Sequence, residues 1–210
     1  MKLLIILFLV AGIGSCSQPH AQVAIINSGT VIPATSTNNN LVYIDQIGTN
    51  NTVVVNQDGT TQTVKITTGK DSAVDNSYFN ITQQGTGAKT ATVDIPSGYN
   101  NSVVMFQDGS GNHTAAIQNL NGAANNINFN QTGAGNHSMV VTGAPGSVNS
   151  GDTINATQSG GVGADKTFQL NLNGTNGATI NVQQTNSTVP NSGSMTIQCI
   201  TCGTYNYIRQ

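Results

Sequence analysis

Glutamate and tryptophan are absent from this 210-residue chain, and arginine occurs once, at Arg209. Charged residues make up 7% and aromatic residues 5%, where ordinary globular domains carry about 25% charged residues. Each shortage excludes something. Six basic residues and a net charge of −2 cannot neutralise a phosphate track, so nucleic acid is not an expected partner. So little charge, beside 37% hydrophobic residues, is not the composition of a charge-rich disordered chain. General acid–base chemistry needs clustered carboxylates, histidines or lysines, and a carbohydrate-cleaving β-helix needs paired carboxylates. Here the eight aspartates are scattered, with Asp58, Asp71, Asp75 and Asp108 in turn-like segments. The chain is therefore not expected to be an enzyme, and no cofactor is expected.

Long apolar runs are missing too, with one exception. Residues 3–10 are apolar, follow the basic Met1-Lys2, and precede the small residues Ala11, Gly12, Gly14 and Ser15. That pattern predicts a secretory signal peptide over residues 1–22, too short for a spanning helix. An exported chain follows. The run ends in Ile13-Gly14-Ser15-Cys16, which resembles a bacterial lipobox, whose cysteine is lipid-modified and becomes the new N-terminus. Plain cleavage near Ala21, with loss of Cys16, is the alternative.

Cysteine is scarce as well. Lipidation of Cys16 would leave an even pair, Cys199 and Cys202. Their C-x-x-C spacing would suit a redox motif or half a zinc site. The first needs a βαβ context and the second needs two more ligands. His20, His113 and His137 are distant and lack ligand spacing, so no metal is expected. The pair is read as a disulfide, terminal or intermolecular.

What the chain does have is a repeat. Gln-x-Gly recurs at Gln46-Gly48, Gln57-Gly59, Gln83-Gly85, Gln107-Gly109, Gln131-Gly133 and Gln158-Gly160. Six residues before the later glutamines stand Asn51, Ser77, Asn101, Asn125 and Asp152. Five residues after them come Gln62, Ala88, Asn112, Asn136 and Gly163, and Gln118 closes the second half of the unit "NSVVMFQDGSGNHTAAIQ". Between the anchors the apolar period is two: Val53 and Val55, Phe79 and Ile81, Val103 and Met105, Ile127 and Phe129. This is strand periodicity with β-branched enrichment, not helix periodicity. The glycine after each glutamine fits a tight turn with φ > 0.

These signals predict an all-β fold, a β-solenoid of about seven strand–arc–strand rows. Two stacked parallel sheets would enclose the apolar residues, with rows about 4.7–4.8 Å apart. The inward amides would form ladders along the stack: Asn51, Gln57, Ser77, Gln83, Asn101, Gln107, Asn112, Gln118, Asn125, Gln131, Asn136 and Gln158. His113 and His137, next to Asn112 and Asn136, would then form an exposed pair on an outer face. Residues 23–46 are expected to make an irregular first row, 47–184 the regular repeats, and 185–210 a degenerate last row carrying the cysteine pair.

The motif N/S-x5-Q-x-G-x2-N-x5-Q, legible in "NLVYIDQIGTNNTVVVNQ" and "NSVVMFQDGSGNHTAAIQ", resembles the curlin repeats of bacterial curli. The resemblance covers residues 40 to about 184 and, more weakly, 192–210. It implies a subunit exported across the outer membrane by a dedicated machinery, polymerising with itself and with related subunits into extracellular functional amyloid that supports adhesion and the biofilm matrix. A lipid-anchored surface nucleator of such fibres and a non-polymerising solenoid adhesin are the alternatives. Ala88 and Gly163 depart from the asparagine of the motif, and the cysteine pair and lipobox are not features of a major fibre subunit. The isolated aspartates, Asp58 and Asp108 among them, would act as gatekeepers against premature aggregation.

Overall fold

The computed structural model describes residues 22–26, 30–31, 35–36, 40–46, 48–68, 73–118 and 120–210. The signal segment through Ala21, Cys16 and Asp71 lie outside the described residues, as does the Gln46 side chain. The strands are β1 (Gln22–Ile26), β2 (Thr30–Val31), β3 (Thr35–Ser36), β4 (Leu41–Gln46), β5 (Thr52–Gly59) and β6 (Gln62–Thr68). Next come β7 (Val74–Asp75), β8 (Tyr78–Gly85), β9 (Lys89–Asp94), β10 (Gly98–Tyr99), β11 (Ser102–Asp108) and β12 (His113–Gln118). The chain continues through β13 (Asn126–Gly133), β14 (His137–Gly143), β15 (Thr153–Gly160) and β16 (Lys166–Thr175). It closes with β17 (Thr179–Gln184), β18 (Asn191–Cys199) and β19 (Thr204–Arg209). Among the described residues there is no helix.

The fold is the expected β-solenoid. The chain alternates between two parallel sheets, ordered β1-β4-β6-β9-β12-β14-β16-β18 and β19-β17-β15-β13-β11-β8-β5-β2, with β3 also on β5. A two-stranded ladder of β7 and β10 decorates one line of arcs. Period-two patterning dictates this arrangement, because neither sheet can bury its apolar side alone. Facing inward, Val53, Phe79, Val103, Ile127, Ile154 and Ile180 stack in one column. Val64, Ala91, Ala115, Met139 and Phe168 stack in the other sheet. All of them are buried in one continuous core. Pro96, Pro145 and Pro190 lie outside the strands, where a missing N–H breaks no ladder bond.

Arcs of unequal length join the sheets. Between Gln57 and Gln62 stand four residues, but between Gln83 and Lys89, Gln107 and His113, or Gln131 and His137 there are five. The short arc closes with Thr61 at a φ of 62°. The longer arcs insert Gly87, Gly111 and Gly135, stacked so closely that a Cβ would collide with backbone of the next row.

Candidate functional site

The glutamine column is the structural spine. Its members pair in register as Gln57, Gln83, Gln107, Gln131, Gln158 and Gln184, and all are buried. Nε2 of each donates to Oε1 of the next: 2.8 Å for Gln57–Gln83, Gln83–Gln107 and Gln107–Gln131, and 2.7 Å for Gln131–Gln158 and Gln158–Gln184. The same Nε2 atoms also reach across the core to carbonyls of the opposite sheet. Gln83 donates to Thr63 O at 3.1 Å, Gln107 to Thr90 O at 3.1 Å and Gln131 to Thr114 O at 2.9 Å. Each amide thus ties its row to the next and one sheet to the other. A buried amide left without partners costs about 1–3 kcal/mol, so any slip in register would be expensive at every row.

The second predicted column works differently. Side-chain oxygens of Asn51, Ser77, Asn101 and Asn125 accept from the backbone N–H of Ser77, Asn101, Asn125 and Asp152, at 2.9, 3.1, 3.1 and 3.0 Å. They satisfy backbone donors where the arc enters a strand. Asp152 ends this column as a fully buried carboxylate. Its Oδ1 accepts from Ala178 N at 2.8 Å, and Oδ2 from the Thr175 hydroxyl. Burial raises its pKa above the ordinary carboxylate value, against the pull of those hydrogen bonds.

The second half of the unit is corrected by one residue. Asn112, Gln118 and Asn136 are exposed, while His113 and His137 are buried. The spacing of Gln57 to Gln62 does not carry over to later rows, because their arcs are one residue longer. With a period of two, one extra residue moves the following side chains to the other face. Asn112 and Asn136 still bond along the stack from outside: their Oδ1 atoms accept from Ala88 N at 2.9 Å and Asn112 N at 3.0 Å.

The inward column is therefore Gln62, Lys89, His113, His137 and Lys166, in register and all buried. Each member turns a donor toward arc carbonyls. Gln62 Nε2 donates to Asp58 O at 3.2 Å. Lys89 Nζ donates to Gly87 O, Gly109 O and Gly111 O at 3.0, 2.9 and 2.8 Å. His113 Nε2 lies 2.9 Å from Asp108 O, His137 Nε2 lies 3.0 Å from Thr132 O, and Lys166 donates to Val189 O. A ring nitrogen facing a carbonyl carries the proton. Nδ1 of both rings is then the bare acceptor, and both Nδ1 atoms are buried without a partner. The rings stack with centroids 4.9 Å apart and planes 8° from parallel. Two positive charges at that separation would repel by about 3 kcal/mol at an effective dielectric near 20. Burial pushes the His113 pKa down to about 4, assisted by Lys89, and lowers that of His137 as well. Burial also lowers the pKa of Lys89, which the Asp108 carboxylate partly restores.

Of the turn glycines, Gly48, Gly59, Gly85, Gly109 and Gly133 have the expected positive φ. Gly160 is the exception. It opens a longer arc in which Gly163 takes the left-handed turn, at a φ of 76°. Gly160 is instead constrained by close approach to Ala164.

The last row departs from the pattern. Tyr205, Tyr207 and Arg209 continue the columns of Ile180, Val182 and Gln184. The Tyr207 hydroxyl donates to Ser192 O at 3.0 Å, and its ring lies 4.6 Å from that of Phe168, over Gly193. Cys199 and Cys202 form an intrachain disulfide in the final arc. Family models, curated proteins and solved structures were all compared with the chain, and none matches it.

Proposed function

We propose that this chain is a structural subunit of extracellular curli-like amyloid fibres, exported through an outer-membrane machinery and joining copies of itself and related subunits. The observation that carries this reading is the glutamine ladder, continuous from Gln57 to Gln184 along one of the two stacked parallel sheets. Such a stack has the cross-β geometry of a fibre within a single chain. At the other end from β1, strands β18 and β19 are each paired on one side only among the described residues, and such an edge offers backbone groups to a further row. Fibre adhesion and a biofilm matrix are the function such a polymer would serve.

Arg209 in the glutamine column favours a second reading, a solenoid that anchors or nucleates without extending at its C-terminal end. In that reading Cys16 carries the lipid. Stable membrane attachment takes at least two acyl chains, which a lipoprotein cysteine supplies.

Two measurements decide. Purified full-length mature chain should bind thioflavin and give reflections at about 4.7–4.8 and 10 Å. A stable monomer on a sizing column would overturn the fibre reading. Mass spectrometry of the mature N-terminus separates a lipidated Cys16 from cleavage near Ala21.

A further inference from the structure

We propose that the buried column Lys89–His113–His137–Lys166 is an acid-sensitive lock: the middle rows of the solenoid close only around neutral imidazoles, and protonating either ring opens them. The lock does not depend on fibre formation and belongs to the single folded chain.

The geometry offers a second ring proton no formed hydrogen bond, and the backbone of Asn112 beside His113 and of Asn136 beside His137 favours the charged rings less than burial opposes them. Nε2 of each ring is already committed to an arc carbonyl, at 2.9 Å for His113 and 3.0 Å for His137. A proton added at Nδ1 would sit on an atom that is buried and has no partner in the core. It would also bring a charge beside a parallel ring 4.9 Å away.

The surroundings reinforce this. On one side of His113, β9 brings the fully buried Lys89, and on the far side of His137, β16 brings the fully buried Lys166. Two acidic groups lie nearby, Asp108 in the arc of His113 and Asp165 beside Lys166. Asp108 acts on Lys89 and Asp165 on both Lys166 and His137. Asp165 also accepts from Asn136 N at 2.8 Å on the outer side. In the sheet across the core, the buried side chains of β11 and β13 are apolar residues and glutamine.

The direction follows from linkage. In the unfolded chain both rings take up protons below about pH 6.5. In the folded chain His113 does so only near pH 4, and His137 is shifted the same way. Stability is therefore fully present above pH 6.5 and falls as the pH drops toward 4. His113 alone lowers the folding constant on the order of a hundredfold across that window.

The column itself supplies a non-titrating replacement: Gln62, in a shorter arc, occupies the same register and donates to Asp58 O, with its own Oε1 buried and unpartnered like the ring Nδ1 atoms. The test is urea unfolding of the full chain at pH 7, 6, 5 and 4, for wild type and for the double variant His113→Gln/His137→Gln. The wild-type midpoint should fall steadily below pH 6.5, and the variant should lose most of that fall. Equal falls in both would overturn the lock. Should the variant fail to fold, the ring-proton NMR titration of folded wild type decides. Rings that stay neutral to below pH 5 support the lock, and rings that titrate near 6.5 overturn it.

Discussion

Arg209 stands in register with Gln184, at the end of a column whose six preceding members are all glutamine. The ladder thus ends on a cation, with the guanidinium carbon 6.0 Å from the Tyr207 ring centroid. A further row laid on β19 would cover this charge, and a buried unpaired charge is costly. Arg209→Gln should extend the amide ladder by one row. If copies add at this end, the variant should elongate several-fold faster than wild type in seeded growth monitored by thioflavin. Equal rates would show that Arg209 does not limit addition.

Within the ladder, Gln107→Ala or Gln131→Ala removes a residue bonded to both neighbouring rows and to the opposite sheet. Each should lower unfolding stability by about 1–3 kcal/mol. Asn130, one residue before Gln131, is exposed, and Asn130→Ala should stay within about 0.5 kcal/mol of wild type. Urea denaturation of the three variants checks the contrast.

Gly109 combines a φ of 111° with a row above it so close that a Cβ would meet the Gly133 carbonyl. Gly109→Ala must therefore distort two rows and should cost several times the ~1 kcal/mol typical of an ordinary substitution. Gly203 has open space around its Cβ direction and no positive φ. Gly203→Ala should be nearly neutral, and thermal melts of the two variants beside wild type check the contrast.

Asp152 carries the pH dependence of opposite sign to the histidines. Its folded pKa is raised, so the stability linked to its protonation is present below the unfolded value of about 3.9 and lost as pH rises through the folded value. At neutral pH the buried carboxylate is a net cost. Asp152→Asn places at this position the residue type found at Asn51, Asn101 and Asn125. It should raise the melting temperature at pH 7 and bring no gain at pH 3, which thermal scans at the two pH values would reveal.

Much of the architecture is written in the chain itself. Period two between Asn51 and Gln57, repeated through "SYFNITQ", "NSVVMFQ" and "NNINFNQ", forces alternate residues to one face whatever the surroundings, because strand geometry permits nothing else. The recurrence of Gln-x-Gly then aligns the rows, since an amide column is satisfied only in register. The first half of each unit was legible for those reasons. The second half was not, because an arc's length does not state which residue re-enters the sheet facing inward. Backbone conformation decides that: Thr61 turns left-handed in a four-residue arc, while Gly87, Gly111 and Gly135 pack against the next row in five-residue arcs. Only the tertiary structure could place Lys89, His113, His137 and Lys166 inside and Asn112, Gln118 and Asn136 outside. The carbonyls that make burial of those polar groups tolerable belong to arcs, the row's own or a neighbour's, and exist as a donor-binding surface only once the rows are stacked.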